Sequence, residues 1–277
     1  MTSKLTKFAQ VVALGLALAF TFNCSSGEDD KDTGGSSSSG GGGTSSPSGS
    51  GPKGAISTEV QTTDMYDNGE IKWTRTYKYG YEYDNKGNKI KKNSYDKDGE
   101  IGYYDIYEYD SKGNNTKETT YYRDRSIMSY IIYEYDSKGN KIKETLYDKD
   151  GNVEEMYRNE YDSSGNKIKE TGYEDGNISY ENEYDSNGIE SKTTIYNKDG
   201  SIKATYTYTN EVTYTTINSK KLIATQISER QDGAKTKDEY QYDTKGNQTK
   251  ITAYSWDKTT GSYIKQLENT YVYTYIN

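Results

Sequence analysis

Apolar and polar residues alternate along most of the chain after residue 56, and this alternation predicts β-strands. Between Ile127 and Tyr135, alternate positions place most apolar side chains on one face and Glu134 on the other. The predicted face contains Ile127, Ser129, Ile131, Tyr133 and Tyr135, and one repeat later Val153, Glu155, Tyr157, Asn159 and Tyr161. A helix is disfavoured because Gly recurs about every 13 residues.

The segments between these strands also alternate, with one imperfection. One face is predicted to carry Lys141, Lys143, Thr145 and Tyr147. The opposite face is predicted to carry Ile142 and Leu146, where Glu144 is a charged exception. We therefore expect one sheet face with Ile and Tyr ladders, and another with Lys and Glu that pair across strands.

A Tyr-x-Tyr-Asp-x-x-Gly-Asn motif repeats along the chain and marks the turns. Its clear copies span Tyr81–Asn88, Tyr107–Asn114 and Tyr133–Asn140, and looser copies lie at 161–166, 184–188 and 240–247. A second anchor lies midway, at Tyr95–Gly99, Tyr147–Gly151 and Tyr196–Gly200. Asp first and Gly fourth predict a type I turn closed by a Gly bulge, so each repeat unit is a hairpin.

These patterns predict an all-β fold, an antiparallel meander of tandem Tyr-rich hairpin repeats that forms one large twisted or curled sheet. The alternation does not fix whether the sheet stays open, curls or closes. Residues 201–239 keep strand character without the turn motifs, and Tyr271–Tyr275 is predicted to be a final strand and a candidate sheet edge. The repeat domain is predicted to span 56–277.

The composition suits a fold with little conventional core. Only 30% of the residues are hydrophobic and the mean hydropathy is -1.12, yet 32 residues are Tyr. Half-buried Tyr rings can supply the missing apolar contact. The net charge of -8, without a basic block, disfavours nucleic-acid binding. One Cys and no His exclude a Cys/His metal site, an internal disulfide and a His-dependent triad.

The N-terminus has the pattern of an export signal. Lys4 and Lys7 precede an uncharged, mostly apolar stretch from Phe8 to Phe22, which is short for a bilayer span. Residues 1–23 are therefore predicted to be a signal peptide. Ala17–Ala19 fits cleavage of a secreted protein, whereas Thr21–Cys24 resembles the lipobox of bacterial lipoproteins.

Lipidation at Cys24 is the favoured alternative, because this Cys lies where the apolar stretch ends and a polar segment begins. By resemblance to enteric lipoproteins, the non-acidic residue Ser25 implies transfer to the outer membrane, with the domain facing the periplasm or the outside. The Ser/Gly-rich segment 24–55 is predicted to be a disordered tether with a reach of roughly 30 Å.

The repeated Tyr-x-Tyr-Asp-x-x-Gly motif resembles the RHS/YD repeat of bacterial surface proteins and toxin shells. The resemblance covers roughly residues 64–275. It departs from that family in having mostly Asn after the Gly and a 26-residue period, as between Asp84 and Asp110. The resemblance implies a β-rich extracellular scaffold, sometimes in contact with carbohydrate or a cell surface, without a catalytic centre.

No candidate for catalysis or metal binding emerges from the sequence. The segment Asp148–Asn152 superficially matches a calcium loop, but its spacing favours a simple turn. Carboxylates recur at equivalent positions in every repeat, and no repeat has a uniquely altered pair that would mark an active site. We therefore predict no enzyme activity and no cofactor or metal.

One aromatic row is the best candidate for ligand stacking. Its residues are Trp73, Tyr77, Tyr79, Tyr81 and Tyr83, which share a strand face. The alternative is that these rings are only the packing surface of the sheet. The expected function is a non-catalytic envelope or cell-surface lipoprotein that binds a glycan or another envelope component and contacts the membrane through its lipid. The alternative is a structural or assembly protein that contacts proteins through exposed sheet edges.

Overall fold

The computed structural model describes residues 52, 55–67 and 70–276, all of whose regular elements are strands. The predicted signal peptide, Cys24 and nearly all of the tether lie outside the described residues. Among the residues that are described, no helix has the length and apolar character needed to cross a membrane. The strands are β1 (Ile56–Asp67), β2 (Glu70–Tyr83), β3 (Lys89–Tyr95), β4 (Ile101–Tyr109), β5 (Asn115–Tyr122), β6 (Ile127–Tyr135), β7 (Lys141–Asp148), β8 (Val153–Tyr161), β9 (Lys167–Glu174), β10 (Asn177–Tyr184), β11 (Glu190–Tyr196), β12 (Ile202–Ile217), β13 (Lys220–Arg230), β14 (Lys235–Tyr242), β15 (Gln248–Asp257) and β16 (Ser262–Tyr275).

The strands form an antiparallel meander that closes into a barrel. Each strand pairs with its neighbours in the chain, and β1 also pairs with β16, for example Glu59 with Tyr273. The predicted all-β meander is confirmed. The sequence did not determine whether the sheet closes, and the structure shows that it does. The prediction of an edge strand at Tyr271–Tyr275 is wrong, because β16 lies between β1 and β15: residues 271–275 pair with β1, and the pairs of β16 with β15 extend to Thr270.

The predicted turn chemistry is confirmed in detail at Asp84. The Gly87 amide donates to the Asp84 carbonyl oxygen at 3.1 Å, and Gly87 has a φ of 90°, which favours Gly. One Asp84 carboxylate oxygen accepts from the backbone amides of Lys86 and Asn88. The other accepts from the Asn88 side-chain amide at 2.8 Å, which explains the Asn after the Gly. The same Asn contact recurs at Asn114, Asn140, Asn152, Asn166 and Asn247.

A register shift beside most turns corrects the predicted faces. Lys141 pairs with Tyr135, whereas Lys143 pairs with Glu134, so Lys141 and Lys143 do not share a face. A β-bulge adds one residue to one strand and moves what precedes it to the other face. For the same reason, Val153 and Ile127 do not lie in the Tyr rows predicted for them, and they are 54% and 39% exposed.

The two faces of the barrel differ in burial. The Tyr face carries Tyr79, Tyr107, Leu146 and Ile251, all of them buried. The ladder face carries ion pairs such as Lys143 with Glu134 at 2.7 Å, which confirms the predicted Lys–Glu pairing. Side chains converge on the concave side of a closed sheet, so the more deeply buried Tyr face lines the inside.

The alternating strand directions define two ends of the barrel. The motif end carries the turns that follow β2, β4, β6, β8, β10 and β14, which begin at the repeated Asp. The opposite end, here the anchor end, carries the β1–β2 connection and the turns that follow β3, β5, β7 and β11. The β1–β2 hairpin has 12- and 14-residue strands and extends further towards the anchor end than its neighbour β3, with seven residues.

Candidate functional site

The predicted aromatic row lies on β2, and its five rings all belong to the Tyr face. Their cross-strand partners on β1 show this shared face, since Glu59 pairs with Tyr79, Gln61 with Tyr77 and Met65 with Trp73. Accessibility rises along the row towards the anchor end, from 6% exposure at Tyr79 to 37% at Trp73.

The motif-end half of the row is engaged in the barrel's own structure. The Tyr81 hydroxyl donates to a Glu59 carboxylate oxygen at 2.9 Å, and the Tyr83 hydroxyl donates to the Ile56 carbonyl oxygen at 2.7 Å. Burial, followed by the negative charge of Glu59, raises the pKa of Tyr81 far above its usual value. The ammonium of Lys92 lies 4.4 Å from the Tyr79 ring centre. These contacts give Tyr79, Tyr81 and Tyr83 structural roles.

The anchor-end half of the row is the accessible part. The Arg75 guanidinium lies 5.0 Å from the Trp73 ring centre, a cation–π contact. Tyr77 stacks on Tyr79, with ring centres 6.5 Å apart and planes within 10°. Trp73 and Tyr77 therefore form an aromatic surface beside a cation, supported from the inside by a buried ring.

A Tyr near the end of several strands has a repeated role that the sequence did not reveal. The hydroxyls of Tyr83, Tyr109, Tyr135, Tyr161 and Tyr273 each donate to the carbonyl oxygen of the first residue of the preceding strand, at 2.6–2.8 Å. Tyr242 makes a similar contact with Ile223. Each bond satisfies a backbone acceptor at the motif end of the barrel, which a Phe ring would leave unpaired.

Charged groups inside the barrel are the main feature that sequence reasoning missed. Lys89 lies between the rings of Tyr81 and Tyr107, at 5.2 and 4.7 Å from their centres. Burial is the first cause that lowers the pKa of Lys89, and burial likewise raises the pKa of Asp105 and Glu118. The alternation predicts Lys and Glu on the solvated face and therefore does not predict buried charges. The signal in the sequence that could have revealed them is the repeated occurrence of Lys and Glu among the Tyr positions.

The candidate calcium loop is a hydrogen-bonded turn. One Asp148 carboxylate oxygen accepts from the backbone amides of Asp150 and Asn152, and the other accepts from the Asn152 side chain. Within the described ranges, no three potential metal-ligating side chains come together. The expectation of a turn at this segment is confirmed.

A second candidate site, absent from the sequence predictions, is an open pocket on the ladder face near the anchor end. Its volume is about 390 Å³, and it is lined by Lys91, Glu100, Ile101, Tyr104, Ile106, Arg123 and Arg125. Arg123 pairs with Glu100 at 2.9 Å, and Tyr104 stacks on Tyr121 with ring centres 5.2 Å apart. The signal in the sequence was Arg125, which stands where the second anchor has Gly.

Comparison with known proteins gives a family match to a limited segment. A family described as proteins of unknown function, DUF2963, matches residues 121–172, which is less than half of the chain. No curated protein matches the chain. A porin-like protein from Bacteroides uniformis is 14% identical, with a TM-score of 0.48, over 82% of this chain and 100% of its own.

Two further solved structures are similar at lower scores. The Tc holotoxin pore of Photorhabdus luminescens is 15% identical, with a TM-score of 0.19, over 74% of this chain and 11% of its own. A protein of unknown function from Bacteroides fragilis is 15% identical, with a TM-score of 0.22, over 53% of this chain and 95% of its own. Likenesses at this level decide neither the family nor the function of the chain.

Proposed function

We propose that this protein is a non-catalytic lipoprotein of the bacterial envelope whose barrel binds a glycan. The observation that carries the proposal is the accessible aromatic surface of Trp73 and Tyr77, which projects near the anchor end beside Arg75. Flat aromatic surfaces next to polar groups suit sugar rings, whose C–H bonds pack on the ring face while hydroxyls find donors and acceptors at its rim.

The envelope location in this proposal rests on the N-terminal sequence. The predicted lipidation at Cys24 would hold the protein at the outer membrane, and the tether would let the barrel reach a ligand away from the membrane surface. The resemblance to RHS/YD repeats, which implies contact with cell surfaces or carbohydrate, supports the same proposal.

The alternative of assembly through sheet edges is restricted by this fold. Every described strand has a paired neighbour on each side, so the closed barrel has no edge strand. Unpaired backbone is confined to strand ends that extend past a neighbour, such as residues 70–77 of β2 beyond β3 and 208–217 of β12 beyond β11. We therefore rank assembly through sheet edges below glycan binding.

The test is a binding screen of the full chain against envelope and plant polysaccharides, followed by substitutions. For a glycan that binds, we expect Trp73→Ala and Tyr77→Ala each to weaken affinity by about tenfold, in line with the loss of an aromatic contact at a binding centre.

Trp256→Ala is the matched control. Trp256 also contacts another ring, that of Tyr263 at 5.0 Å, but it lies on the ladder face. Its substitution is expected to leave the affinity unchanged. Equal affinity of all three variants and the unmodified chain, with each shown to be folded by circular dichroism, would mean that the aromatic row is not the binding surface.

A further inference from the structure

One turn of the barrel breaks the repeat symmetry while keeping its geometry. At the second anchor, the turns contain Gly99 and Gly151, with φ of 81° and 86°. Arg125 takes the equivalent place between them, with φ of 72°. Its backbone amide donates to the Tyr122 carbonyl oxygen at 2.9 Å, as the Gly amides do in the other copies. The turn is therefore conserved in shape between the copies, although its Gly is replaced by Arg.

An Arg in this conformation is unfavourable for the backbone. The left-handed region suits Gly, and Asn and Asp tolerate it because their short side chains bond locally. Among the described non-Gly residues with positive φ, Arg125 has the longest side chain, the others being Asp175, Asn218 and Ser219. Strained residues of this kind cluster at functional sites, so Arg125 indicates a role for its side chain.

The use of Arg in this protein supports that role. The chain contains five Arg residues, and three of them lie against aromatic rings, at Trp73, Tyr173 and Tyr206. The other two, Arg123 and Arg125, lie together in the pocket on the ladder face. In the described part of the chain, no acceptor pairs with the exposed Arg125 guanidinium. Arg favours planar, two-point contact with an oxyanion, which Lys does not provide.

The rest of the pocket is organised around these two side chains. Glu100 pairs with Arg123 at 2.9 Å, and it is the only carboxylate among the lining residues. Lys91 adds a third cation, and its ammonium lies 5.1 Å from the Tyr104 ring centre. Lys91 also lies 3.5 Å from a carboxylate oxygen of Glu82, so two of the three cations of the pocket have carboxylate partners. Arg125 is the cation of the lining that has none in the described part of the chain, and an exposed, unpaired guanidinium suits an anionic ligand.

We infer that this pocket binds the carboxylate or sulfate group of an acidic sugar, with Arg125 as its main contact. The inference rests on the proposed glycan-binding function and narrows its ligand class. Tyr104 and Ile101 provide an apolar wall against which a sugar ring can pack. The turns that carry Glu100 and Arg125 lie at the same end of the barrel as the β1–β2 hairpin with Trp73, although the pocket lies on the ladder face and Trp73 on the Tyr face.

The test compares oligomers that differ only in charge. Binding of the full chain is measured by calorimetry with oligogalacturonate and with its methyl ester, and with sulfated galactose oligomers and their desulfated forms. Arg125→Gly restores the residue that the repeat has at this turn, so the variant is expected to fold. Lys149→Gln is the matched charge control, because Lys149 is an exposed cation at the same end of the barrel, outside the pocket.

We expect at least one acidic oligomer to bind more tightly than its neutral form, and Arg125→Gly to weaken that binding by about tenfold or more. Lys149→Gln is expected to change it less than twofold. Equal weakening by both variants would overturn the inference, because general charge attraction would then explain the binding.

The two proposals fail in different ways. If acidic and neutral oligomers bind equally, and Trp73→Ala but not Arg125→Gly weakens them, the glycan function stands and the anion pocket is wrong. If acidic binding depends on Arg125 but not on Trp73, the pocket stands and the aromatic row is wrong. If no charged or neutral oligomer binds the folded chain, both proposals are overturned.

Discussion

At the scale of single residues, Tyr contributes to the stability of this fold in two ways. Its ring supplies apolar contact, and its hydroxyl satisfies a polar group that the same burial would otherwise leave unpaired. Tyr135 reaches the Asn115 carbonyl oxygen, and Tyr180 reaches a Glu170 carboxylate oxygen at 3.0 Å. A barrel whose inside contains carboxylates and strand-end carbonyls needs such rings, which explains 32 Tyr against 3 Phe.

Not every charge inside the barrel has a Tyr partner, and Asp238 gives a prediction of pH dependence. Asp238 lies on the Tyr face opposite Gln226 and Ala253, and burial raises its pKa to about 7. A carboxyl with a raised folded pKa stabilises the fold at low pH, and this contribution is lost as pH rises from about 4 to 7. Asp238→Asn should therefore stabilise the protein at pH 8, on the order of 2 kcal/mol, and have little effect at pH 4.

The measurement is the difference in Tm between Asp238→Asn and the unmodified chain across this pH range. Asp136→Asn is the control of opposite sign, because hydrogen bonds from Asn140 lower the pKa of Asp136. Its contribution is present above the unfolded pKa and is lost as pH falls, so this variant should be destabilised at pH 8. A Tm difference for Asp238→Asn that does not vary with pH would contradict the assignment.

The sequence was sufficient to place the aromatic row on one face, but not to predict how deeply each of its rings is buried. Alternation put Trp73 and Tyr79 on the same side, and the register of β1 and β2 confirms this. Their burial differs because Tyr79 also faces Lys92 on the far side of β2, whereas Trp73 lies beyond the reach of the short β3. Such differences depend on neighbouring strand lengths, which single-strand periodicity does not contain.

At the scale of the element, the unit is a hairpin whose turn also sets the register. The Asp-x-x-Gly motif predicts both the turn and its bulge, but alternation along the chain does not contain the shift that the bulge gives to the first residue of the next strand. Ile142 illustrates this: alternation predicts that it shares a face with Leu146, but Ile142 is 36% exposed and Leu146 is 6% exposed. Alternation therefore holds within strands and fails across the turn.

The same element gives a prediction about stability at Arg125. A residue with a Cβ in the left-handed conformation loses about 1–2 kcal/mol relative to Gly. Arg125→Gly should therefore raise the free energy of unfolding by up to this amount, and the Tm by a few degrees. The measurement is thermal or urea unfolding of the full chain. Gly151→Arg, the reverse change in the next repeat, should lower the stability. A drop in Tm for Arg125→Gly would show that the Arg side chain is needed for folding.

At the scale of the whole molecule, closure is the property that the sequence could not supply. It depends on the number, length and register of all sixteen strands, and on pairing between residues as distant as Glu59 and Tyr273. The strands that close the barrel, β1 and β16, have 12 and 14 residues, against seven to nine for the strands of the regular repeats, and they lack the repeat pattern. Periodic local signals predicted the meander, whereas the joining of its two ends is a long-range event.

The charges on both faces of this closed barrel lead to a prediction about membrane attachment. Lys143 pairs with Glu134 on the ladder face, and Lys141 pairs with Glu144 at 2.6 Å on the Tyr face. A lipid-facing barrel surface instead presents an apolar band about 25 Å tall. We therefore expect attachment to depend on the lipidation proposed for Cys24. In a diderm host, the unmodified protein should sediment with membranes, and Cys24→Ser should move it to the soluble exported fraction. Retention of Cys24→Ser in salt-washed membranes would contradict this, because the barrel itself would then hold the membrane.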